Sequence, residues 1–179
     1  ESSNKPPMKV GAPITDITAG ILGATGVLAA LIHRDKTGEG QRVDTSLYEA
    51  GIIHTYWQSA ITSATGKSPG PLGSAHPLTA PYQAFKTKDS HIIIAAGNEK
   101  LFEKLCNVLN IPEISKDVKF NTNSLRSENM DDLKKILEDK LIVKNTGEWV
   151  SEMEKEKIPC GPIFNIKEAV ENPQIEARN

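Results

Sequence analysis

Apolar residues recur at helical spacing in the first part of the chain, starting at Asp16. They are Ile17, Ile21, Leu22, Val27, Leu28, Leu31 and Ile32, and this spacing predicts one long helix. Gly20, Gly23 and Gly26 interrupt the helix, and each costs about 1 kcal/mol relative to alanine at an exposed helical position. Because glycines three residues apart lie near one face, we expect another backbone to pass close to that face. The apolar stretch 19–32 is shorter than a membrane span requires, so it predicts a buried helix.

A weak alternation of apolar and polar residues follows at Arg42–Ser46 and predicts a short strand. A second helix is predicted from about Leu47 to Ala64, with Ala50, Ile53, Trp57 and Ile61 on its apolar side. Helix, strand and helix in this order are typical of one side of an α/β sheet. Because this region holds too few strands to complete such a sheet, the pattern indicates that part of the domain lies outside the chain.

Residues 66–81 show neither helical nor strand periodicity. The segment contains Gly66, Pro69, Gly70, Pro71, Gly73, Pro77 and Pro81. A long irregular segment in a compact fold is often a binding or catalytic loop. A plain linker between two domains explains the composition equally well, so the residues themselves leave both interpretations open.

The pattern from residue 82 onward predicts a small α+β domain. Two strand-like runs, Tyr82–Thr87 and His91–Ala96, flank a turn and predict a β-hairpin. Helices are predicted at about Glu99–Leu109, at about Met130–Leu141, from a cap at Asn145 or Thr146, and at Ile166–Val170. A turn at Pro159–Pro162 precedes the pair Ile163–Phe164, which predicts a third short strand.

Composition and charge narrow the function classes. The 179-residue chain has 21 basic and 23 acidic side chains, a formal net charge of −2, so nothing electrostatic points to nucleic acid or an anionic membrane. Two cysteines, Cys106 and Cys160, cannot form a disulfide framework and predict a reducing compartment. The four histidines lack partners at metal-ligand spacing, so no metal site is expected. Residues 1–9 have no apolar signal core and are interpreted as a linker or disordered arm.

Asp16 is the sharpest candidate for chemistry, since it opens a helix directly after a Pro-containing extended segment. Aspartate is a favoured N-cap residue, which is one interpretation. The other is catalysis, because unpaired N–H groups at a helix start stabilise an ionised carboxylate, and such a carboxylate can attack an acyl group. His76 is the histidine inside the irregular segment and the one we treat as a candidate site residue. Cys106 and Cys160 are interpreted as packing residues.

Several stretches, in collinear order from about residue 10 to 178, resemble the class III CoA-transferases. Near Asp16 the similar residues are Val10-Gly11, Gly20 and Gly26–Leu31, followed by Arg34–Asp44. Farther along they are His76-Pro77, Pro81–Asp89, Ala96–Asn98, Phe120–Asn123, Arg126, Asn129, Trp149, Ile158–Pro162 and Asn172–Gln174. The family includes formyl-CoA transferase, the carnitine CoA-transferases and the α-methylacyl-CoA racemases.

The resemblance implies a larger enzyme whose Rossmann-like large domain is built from both ends of its chain, with a small domain inserted. We therefore expect an α/β fold in which residues 10–66 belong to the large domain, residues 67–81 form a Gly/Pro loop and linker, and residues 82–179 form the small α+β domain. The chain is then an internal part of the enzyme and is expected to be inactive alone. Family dimers are interlocked rings, so we expect a homodimer, located in the cytoplasm or, in a eukaryote, in the mitochondrion.

The resemblance also implies a mechanism. Asp16 is expected to be the catalytic carboxylate, forming an aspartyl anhydride and then an aspartyl-CoA thioester. Coenzyme A enters as the substrate thioester, a carboxylic acid is the second substrate, and no metal takes part. Gly70, Gly73, Ser74 and His76 correspond to the family's glycine-rich loop and are expected to bind substrate. The loop lacks the four consecutive glycines of formyl-CoA transferase and looks closer to members that act on succinate and glutarate.

Two alternatives stay open at this point. An α-methylacyl-CoA racemase would use a histidine–aspartate pair to move a proton, and its histidine would lie upstream of this chain. A non-catalytic folding or dimerisation module would need no chemistry at all. The complete gene would distinguish module from enzyme, because an upstream CoA-binding half predicts an enzyme.

Overall fold

The chain folds as two compact units, Glu1–Pro71 (unit 1) and Leu72–Asn179 (unit 2). The computed structural model describes residues 6–178, so residues 1–5 of the expected N-terminal arm lie outside the described part. The elements of unit 1, as described, are helices, whereas unit 2 combines helices with a three-stranded sheet. The predicted mixed α/β class is therefore confirmed.

The first helix, α1, spans Ile14–Thr37 and begins earlier than the pattern predicted. Pro13 is its N-cap residue, and the Ile17 N–H donates to the Pro13 carbonyl at 3.1 Å. The helix ends at Gly38, whose φ of 79° is left-handed and whose N–H donates to the Arg34 carbonyl. Such a glycine stops a helix because a side chain there would clash with the backbone.

The glycine face of α1 is packed at one end only. A Cβ at Gly26 would lie 2.7 Å from Val43 Cγ1, and a Cβ at Gly23 would lie 3.4 Å from Thr45 Cγ2. A Cβ at Gly20 would meet no described atom within 4 Å outside its own helical turns. The expected close approach therefore exists at Gly23 and Gly26, but it is made by side-chain methyl groups of the extended segment 41–46.

The strand predicted at Arg42–Ser46 is wrong, as is the single long helix after it. Residues 41–46 are extended but have no strand beside them in the described part of unit 1, and a strand needs a partner for its backbone groups. The helical region is divided into α2, Leu47–His54, and α3, Tyr56–Thr65. The break falls at Thr55, whose N–H and hydroxyl both donate to the Ile52 carbonyl.

Unit 1 leaves most of its apolar surface uncovered, so the prediction of a buried α1 is wrong for the described chain. Ala19 is the one buried residue of α1, and Ala50 is the one buried residue of α2. The exposed apolar residues of α1 are Ile17, Ile21, Leu22, Val27, Leu28, Leu31 and Ile32. With 24 residues, α1 is long and apolar enough to cross a membrane by length and composition. The stretch 19–32, which by itself is too short for a span, is therefore only part of the apolar helix.

Unit 2 is built on an antiparallel sheet of strand order β1-β2-β3. The predicted hairpin is confirmed as β1, Tyr82–Lys86, and β2, His91–Ala95, with Ala84 opposite Ile93. The third strand is β3, Cys160–Pro162, so the strand expected at Ile163–Phe164 is wrong. Ile94 pairs with Cys160, and the Ala95 N–H donates to the Pro159 carbonyl. Residues of the turn predicted at 159–162 therefore form the third strand themselves.

Helices that pack on this sheet enclose the core, and the described part of unit 2 contains six α-helices in all. They are α4 (Glu99–Val108), α5 (Asn123–Glu128), α6 (Met130–Leu141), α7 (Thr146–Lys155), α8 (Ile166–Val170) and α9 (Pro173–Glu176), with a 3₁₀ turn at Pro112–Lys116. The core contains Phe85, Ile92, Ile94, Phe102, Leu105, Leu133, Leu137, Leu141, Trp149 and Met153. The predicted helices are confirmed, whereas α5, α9 and the 3₁₀ turn were not predicted.

A close crossing joins the end of β2 to the irregular segment before β1. A Cβ at Gly97 would lie 1.9 Å from Thr79 Cγ2 and 3.3 Å from Thr79 Cβ. Real Cβ atoms do not approach this closely, so a side chain at position 97 would force Thr79 to move.

We expect Gly97→Ala to lower the free energy of unfolding by about 3 kcal/mol, because the new Cβ overpacks the crossing against the Thr79 side chain. The double variant Gly97→Ala/Thr79→Ala should recover most of this loss. The control is Gly147→Ala on α7, where no described atom would lie within 4 Å of the new Cβ. It should be neutral or stabilising by about 0.5 kcal/mol. Urea unfolding followed by circular dichroism measures all three, and an unchanged Gly97→Ala would contradict the crossing.

Candidate active site

Asp16 lies in the first turn of α1 and is exposed. It is the third helical residue and not the N-cap, which is Pro13, and no side chain caps this helix among the described residues. The Thr15 hydroxyl donates to Asp16 Oδ2 at 3.1 Å. The capping interpretation of Asp16 is therefore wrong, and its carboxylate is available to a ligand.

The surroundings of Asp16 suit a negatively charged group that meets a substrate. A cavity of about 530 Å³ is lined by residues 9–16, and the positive end of the helix dipole favours negative charge there. Gly20 lies one turn farther along on the same face, and a Cβ there would meet no described atom within 4 Å. A ligand at the carboxylate thus finds both an open hollow and no side chain at the next turn.

One contact near Asp16 was not predicted. Thr18 Oγ1 and His54 Nε2 lie 2.7 Å apart, which joins α1 to the last residue of α2. Sequence spacing could not reveal the pair because its members lie 36 positions apart.

The candidate loop residues divide between the units. Gly70 belongs to unit 1, whereas Gly73, Ser74 and His76 belong to unit 2. Gly73 has a left-handed φ of 62°, and the Ala75 N–H donates to the Leu72 carbonyl across this turn. The turn directs the following residues along the outer edge of β1.

Two hydrogen bonds attach this loop to β1. The His76 N–H donates to the Tyr82 carbonyl at 2.9 Å, and the Ala84 N–H donates to Ser74 Oγ at 3.1 Å. Residues 74–76 therefore lie beside the strand much as a further strand would. The second half of the irregular segment is thus a folded part of unit 2 and not a free linker.

The His76 ring is itself fixed. The Leu78 N–H donates to His76 Nδ1 at 3.2 Å, and the ring stacks on Tyr82 with centroids 5.1 Å apart and an interplanar angle of 3°. A stacked ring with one nitrogen held by the backbone has a defined orientation. The histidine is half-buried, so a ligand can still reach the loop.

Helix α5 holds the chain that follows His76. The Asn123 amide donates to the Leu78 carbonyl at 2.8 Å and accepts from the Ala80 N–H at 2.9 Å. Arg126 donates through Nε to the Ala80 carbonyl at 2.7 Å. Neither residue was predicted to act on the loop, and the one available signal was their place in stretches that resemble the family.

Arg126 is fully buried and serves three separate segments. Besides Ala80, it donates to the Phe120 carbonyl at 2.9 Å and to the Gly97 carbonyl at 2.6 Å. Burial lowers the pKa of the Arg126 guanidinium, and the Glu99 carboxylate 3.8 Å away opposes this effect.

The two cysteines have the environment of packing residues rather than of a reactive site. Burial raises the pKa of the Cys106 thiol to about 12 and also raises the pKa of Cys160, which keeps both thiols protonated and weakly nucleophilic near neutral pH. Cys106 belongs to the core, as predicted. In the described part of the chain, no group of three or more His, Cys, Asp or Glu residues is placed to hold a metal ion.

Comparison with known proteins shows the family. The family model described as CoA-transferase family III matches residues 1–179, and the chain therefore belongs to CoA-transferase family III. It is 35% identical over 175 residues to the acetyl-CoA:oxalate CoA-transferase of Acetobacter aceti, covering 97% of this chain and 45% of that protein. It is 34% identical over 172 residues to the succinate–glutarate CoA-transferase of Agrobacterium fabrum, covering 96% of this chain and 43% of that protein.

Solved structures agree with this assignment. A CaiB/BaiF family protein from Brucella suis superimposes with a TM-score of 0.81 at 35% identity, covering 100% of this chain and 47% of that one. The Rv3272 protein of Mycobacterium tuberculosis gives a TM-score of 0.87 at 25% identity, covering 99% of this chain and 46% of that one. The chain thus spans less than half the length of these relatives. The name of each of the two CoA-transferases contains a dicarboxylic acid, oxalate in one, and succinate and glutarate in the other.

The buried guanidinium generates a stability prediction. Arg126→Met should lower the free energy of unfolding by about 3 kcal/mol or more, because three carbonyl groups lose their donor. Arg126→Lys should recover little of it, since one ammonium group cannot reach the fork positions of a guanidinium.

The matched control is Lys140→Met on the exposed face of α6, which should change stability by less than about 0.5 kcal/mol. Urea unfolding of the same preparations provides the comparison. Equal stability of Arg126→Met and Lys140→Met would show that the three carbonyls do not depend on Arg126.

Proposed function

We propose that the complete enzyme containing this chain moves CoA from an acyl-CoA thioester to a free carboxylic acid, with Asp16 as the covalent carrier. The observation that carries the proposal is the state of Asp16, an exposed carboxylate in the first turn of a helix that it does not cap. Membership of CoA-transferase family III and relatives that transfer CoA between acids support the same reaction.

The first half of the reaction loads CoA onto the enzyme. An Asp16 oxygen attacks the thioester carbonyl carbon of the donor, the C–S bond breaks, and the CoA thiolate leaves with its electron pair. The product is a mixed anhydride between Asp16 and the donor acid. The thiolate then attacks the Asp16 carbonyl carbon, which releases the donor carboxylate and leaves an aspartyl-CoA thioester.

The second half runs the same two steps in reverse order with the acceptor acid. An acceptor carboxylate oxygen attacks the aspartyl carbonyl, expels the CoA thiolate and forms a new anhydride. The thiolate attacks the acceptor carbonyl carbon, which gives the acceptor-CoA product and restores the Asp16 carboxylate. One thioester is consumed and one is formed, so no outside energy source is required.

Both intermediates would be destroyed by water, so the site must exclude it. We propose that Gly70, Gly73, Ser74 and His76 bind substrate and shield these intermediates in the complete enzyme. The fixed turn at Gly73 and the stacked ring of His76 support this role, because a preorganised loop loses little entropy on binding.

We also propose that the length missing relative to the family covers the exposed apolar faces of unit 1, and that the complete enzyme is a homodimer. Exposed apolar surface of this extent marks a face that another protein segment covers. The length of α1 would equally fit a membrane span, but the packing of Gly26 against Val43 favours a helix inside a protein.

Asp16→Asn in the complete enzyme should abolish CoA transfer, because an amide offers no anionic oxygen for the first attack. Stability should change by no more than about 1 kcal/mol, since the side chain is exposed and does not cap the helix. Steady-state assays and thermal unfolding measure the two effects. A folded Asp16→Asn enzyme with near wild-type transfer would overturn the proposal.

Chemical trapping gives an independent readout of the same carrier. Hydroxylamine added to the wild type with donor acyl-CoA should leave a hydroxamate on the Asp16 peptide, detectable by mass spectrometry, and Asp16→Asn should leave none. A racemase would instead exchange the α-proton of acyl-CoA with deuterated water and yield no trapped adduct. A non-catalytic module would do neither.

His76→Ala should raise the KM for the acceptor acid about tenfold, because it removes one hydrogen bond to a charged group and a bond of this kind changes affinity by about that factor. Exchange of labelled CoA into the donor thioester should change little, because that exchange needs no acceptor. His76→Gln, which keeps a donor near the position of Nε2, should fall between alanine and wild type. An unchanged acceptor KM in His76→Ala would remove His76 from the substrate site.

A further inference from the structure

The chain after His76 is held by a side-chain amide whose orientation is fixed by its partners. Asn123 Nδ2 donates to the Leu78 carbonyl at 2.8 Å, and Asn123 Oδ1 accepts from the Ala80 N–H at 2.9 Å. A carbonyl can only accept and a backbone N–H can only donate, so the amide can satisfy both in one orientation. Asn123 therefore hydrogen-bonds to the backbone on both sides of Thr79.

The same backbone determines which nitrogen of His76 carries a proton. The Leu78 N–H points at His76 Nδ1 at 3.2 Å. Because the N–H is a donor, Nδ1 must offer its lone pair, and the neutral ring then carries its hydrogen on Nε2. Stacking on Tyr82 holds the plane of the ring at the same time.

The contacts form a continuous series from α5 to the ring. Asn123 fixes the carbonyl of Leu78, and the N–H of Leu78 fixes Nδ1 of His76. Arg126 holds the next carbonyl, that of Ala80, but it also serves the buried carbonyls of Phe120 and Gly97. Asn123 is half-buried, so its amide can be altered without removing a fully buried charge from unit 2.

We propose that Asn123 is a positioning residue for His76, which keeps the histidine in the tautomer that presents an Nε2–H donor to the carboxylate of the acid substrate. The proposal rests on the CoA transfer proposed above. A carboxylate offers acceptor lone pairs alone, so it needs a donor at the atom it meets. The other neutral tautomer would turn the Nε2 lone pair toward the carboxylate and repel it.

The test uses the complete enzyme with Asn123→Asp, which keeps the shape and the acceptor for Ala80 but faces the Leu78 carbonyl with an oxygen. Asn123→Ala is the second variant. The control is Asn129→Ala, whose amide donates to the Leu125 and Lys119 carbonyls. We expect both Asn123 variants to raise the acceptor KM about tenfold and to leave donor exchange unchanged. Asn129→Ala should leave the acceptor KM and donor exchange near wild type.

A double-mutant cycle separates positioning from a general loss of structure. In a His76→Ala background, Asn123→Asp should have almost no further effect on the acceptor KM, because the group it positions is gone. If Asn123→Asp lowers acceptor kcat/KM by the same factor with and without His76, Asn123 does not act through His76 and the proposal is wrong.

The tautomer is observed directly by nitrogen NMR of the enzyme with ¹⁵N-labelled histidine, with the His76 signals identified by their loss in His76→Gln. Wild type should show a protonated Nε2, and Asn123→Ala should show a mixture of tautomers. A wild-type ring protonated on Nδ1 would overturn the proposal whatever the variants do. This spectrum does not depend on turnover, so an inactive wild type would refute the transferase function while the spectrum still decides the role of Asn123.

Discussion

Unit 2 depends on the three hydrogen bonds that the Arg126 guanidinium makes inside it. Their acceptors, the carbonyls of Ala80, Gly97 and Phe120, lie on three segments that are far apart in sequence. A planar group with five N–H donors can meet several acceptors at set angles, which no other side chain can do. The ring of Phe102, 4.5 Å from the guanidinium carbon, completes the enclosure of the charge. The buried cation thus occupies a place that apolar side chains would fill elsewhere in the core. With an apolar side chain there, the three backbone carbonyls would be unpaired.

The loop with His76 is ordered by its contacts with Arg126 and its neighbours. Arg126 and Asn123 fix residues 78–80, the crossing at Gly97 admits Thr79, and β1 binds residues 74 and 76. A loop so held keeps its side chains in place before a substrate arrives. This order is what a site needs if it must shield anhydride and thioester intermediates from water.

Sequence patterns predicted unit 2 well and unit 1 less well, for a physical reason. The hairpin, α4, α6 and α7 each bury one face in a core that this chain supplies, so their apolar periodicity matches the structure. In unit 1 the large apolar residues of α1 stay exposed in the described part of the chain, so periodicity identified the helix but not its burial. The segment 41–46 has strand-like residues without a partner strand, and pairing is a property that a local pattern cannot contain.

The candidate site divides in the same way. Asp16 and His76 were predicted from residue type, local sequence and family resemblance, yet the capping interpretation of Asp16 needed the structure, because the helix begins two residues before it. The contacts of Asn123 and Arg126 with residues 78–80 span more than 40 positions. They rely on backbone carbonyls and N–H groups, which are the same for every residue type and therefore leave no trace in the sequence pattern.

The attachment of the His76 loop to β1 has a consequence for solubility. Three outward backbone groups of this edge strand are occupied: the Tyr82 carbonyl by the His76 N–H, the Ala84 N–H by the Ser74 hydroxyl, and the Lys86 N–H by the Glu138 carboxylate. An open strand edge recruits strands from other molecules, and natural proteins block such edges. The loop that is proposed to receive the substrate thus also covers part of the β1 edge of the sheet. Shortening it to widen acid specificity would uncover a template for intermolecular β-pairing, so evolution of this loop is restricted by aggregation as well as by catalysis.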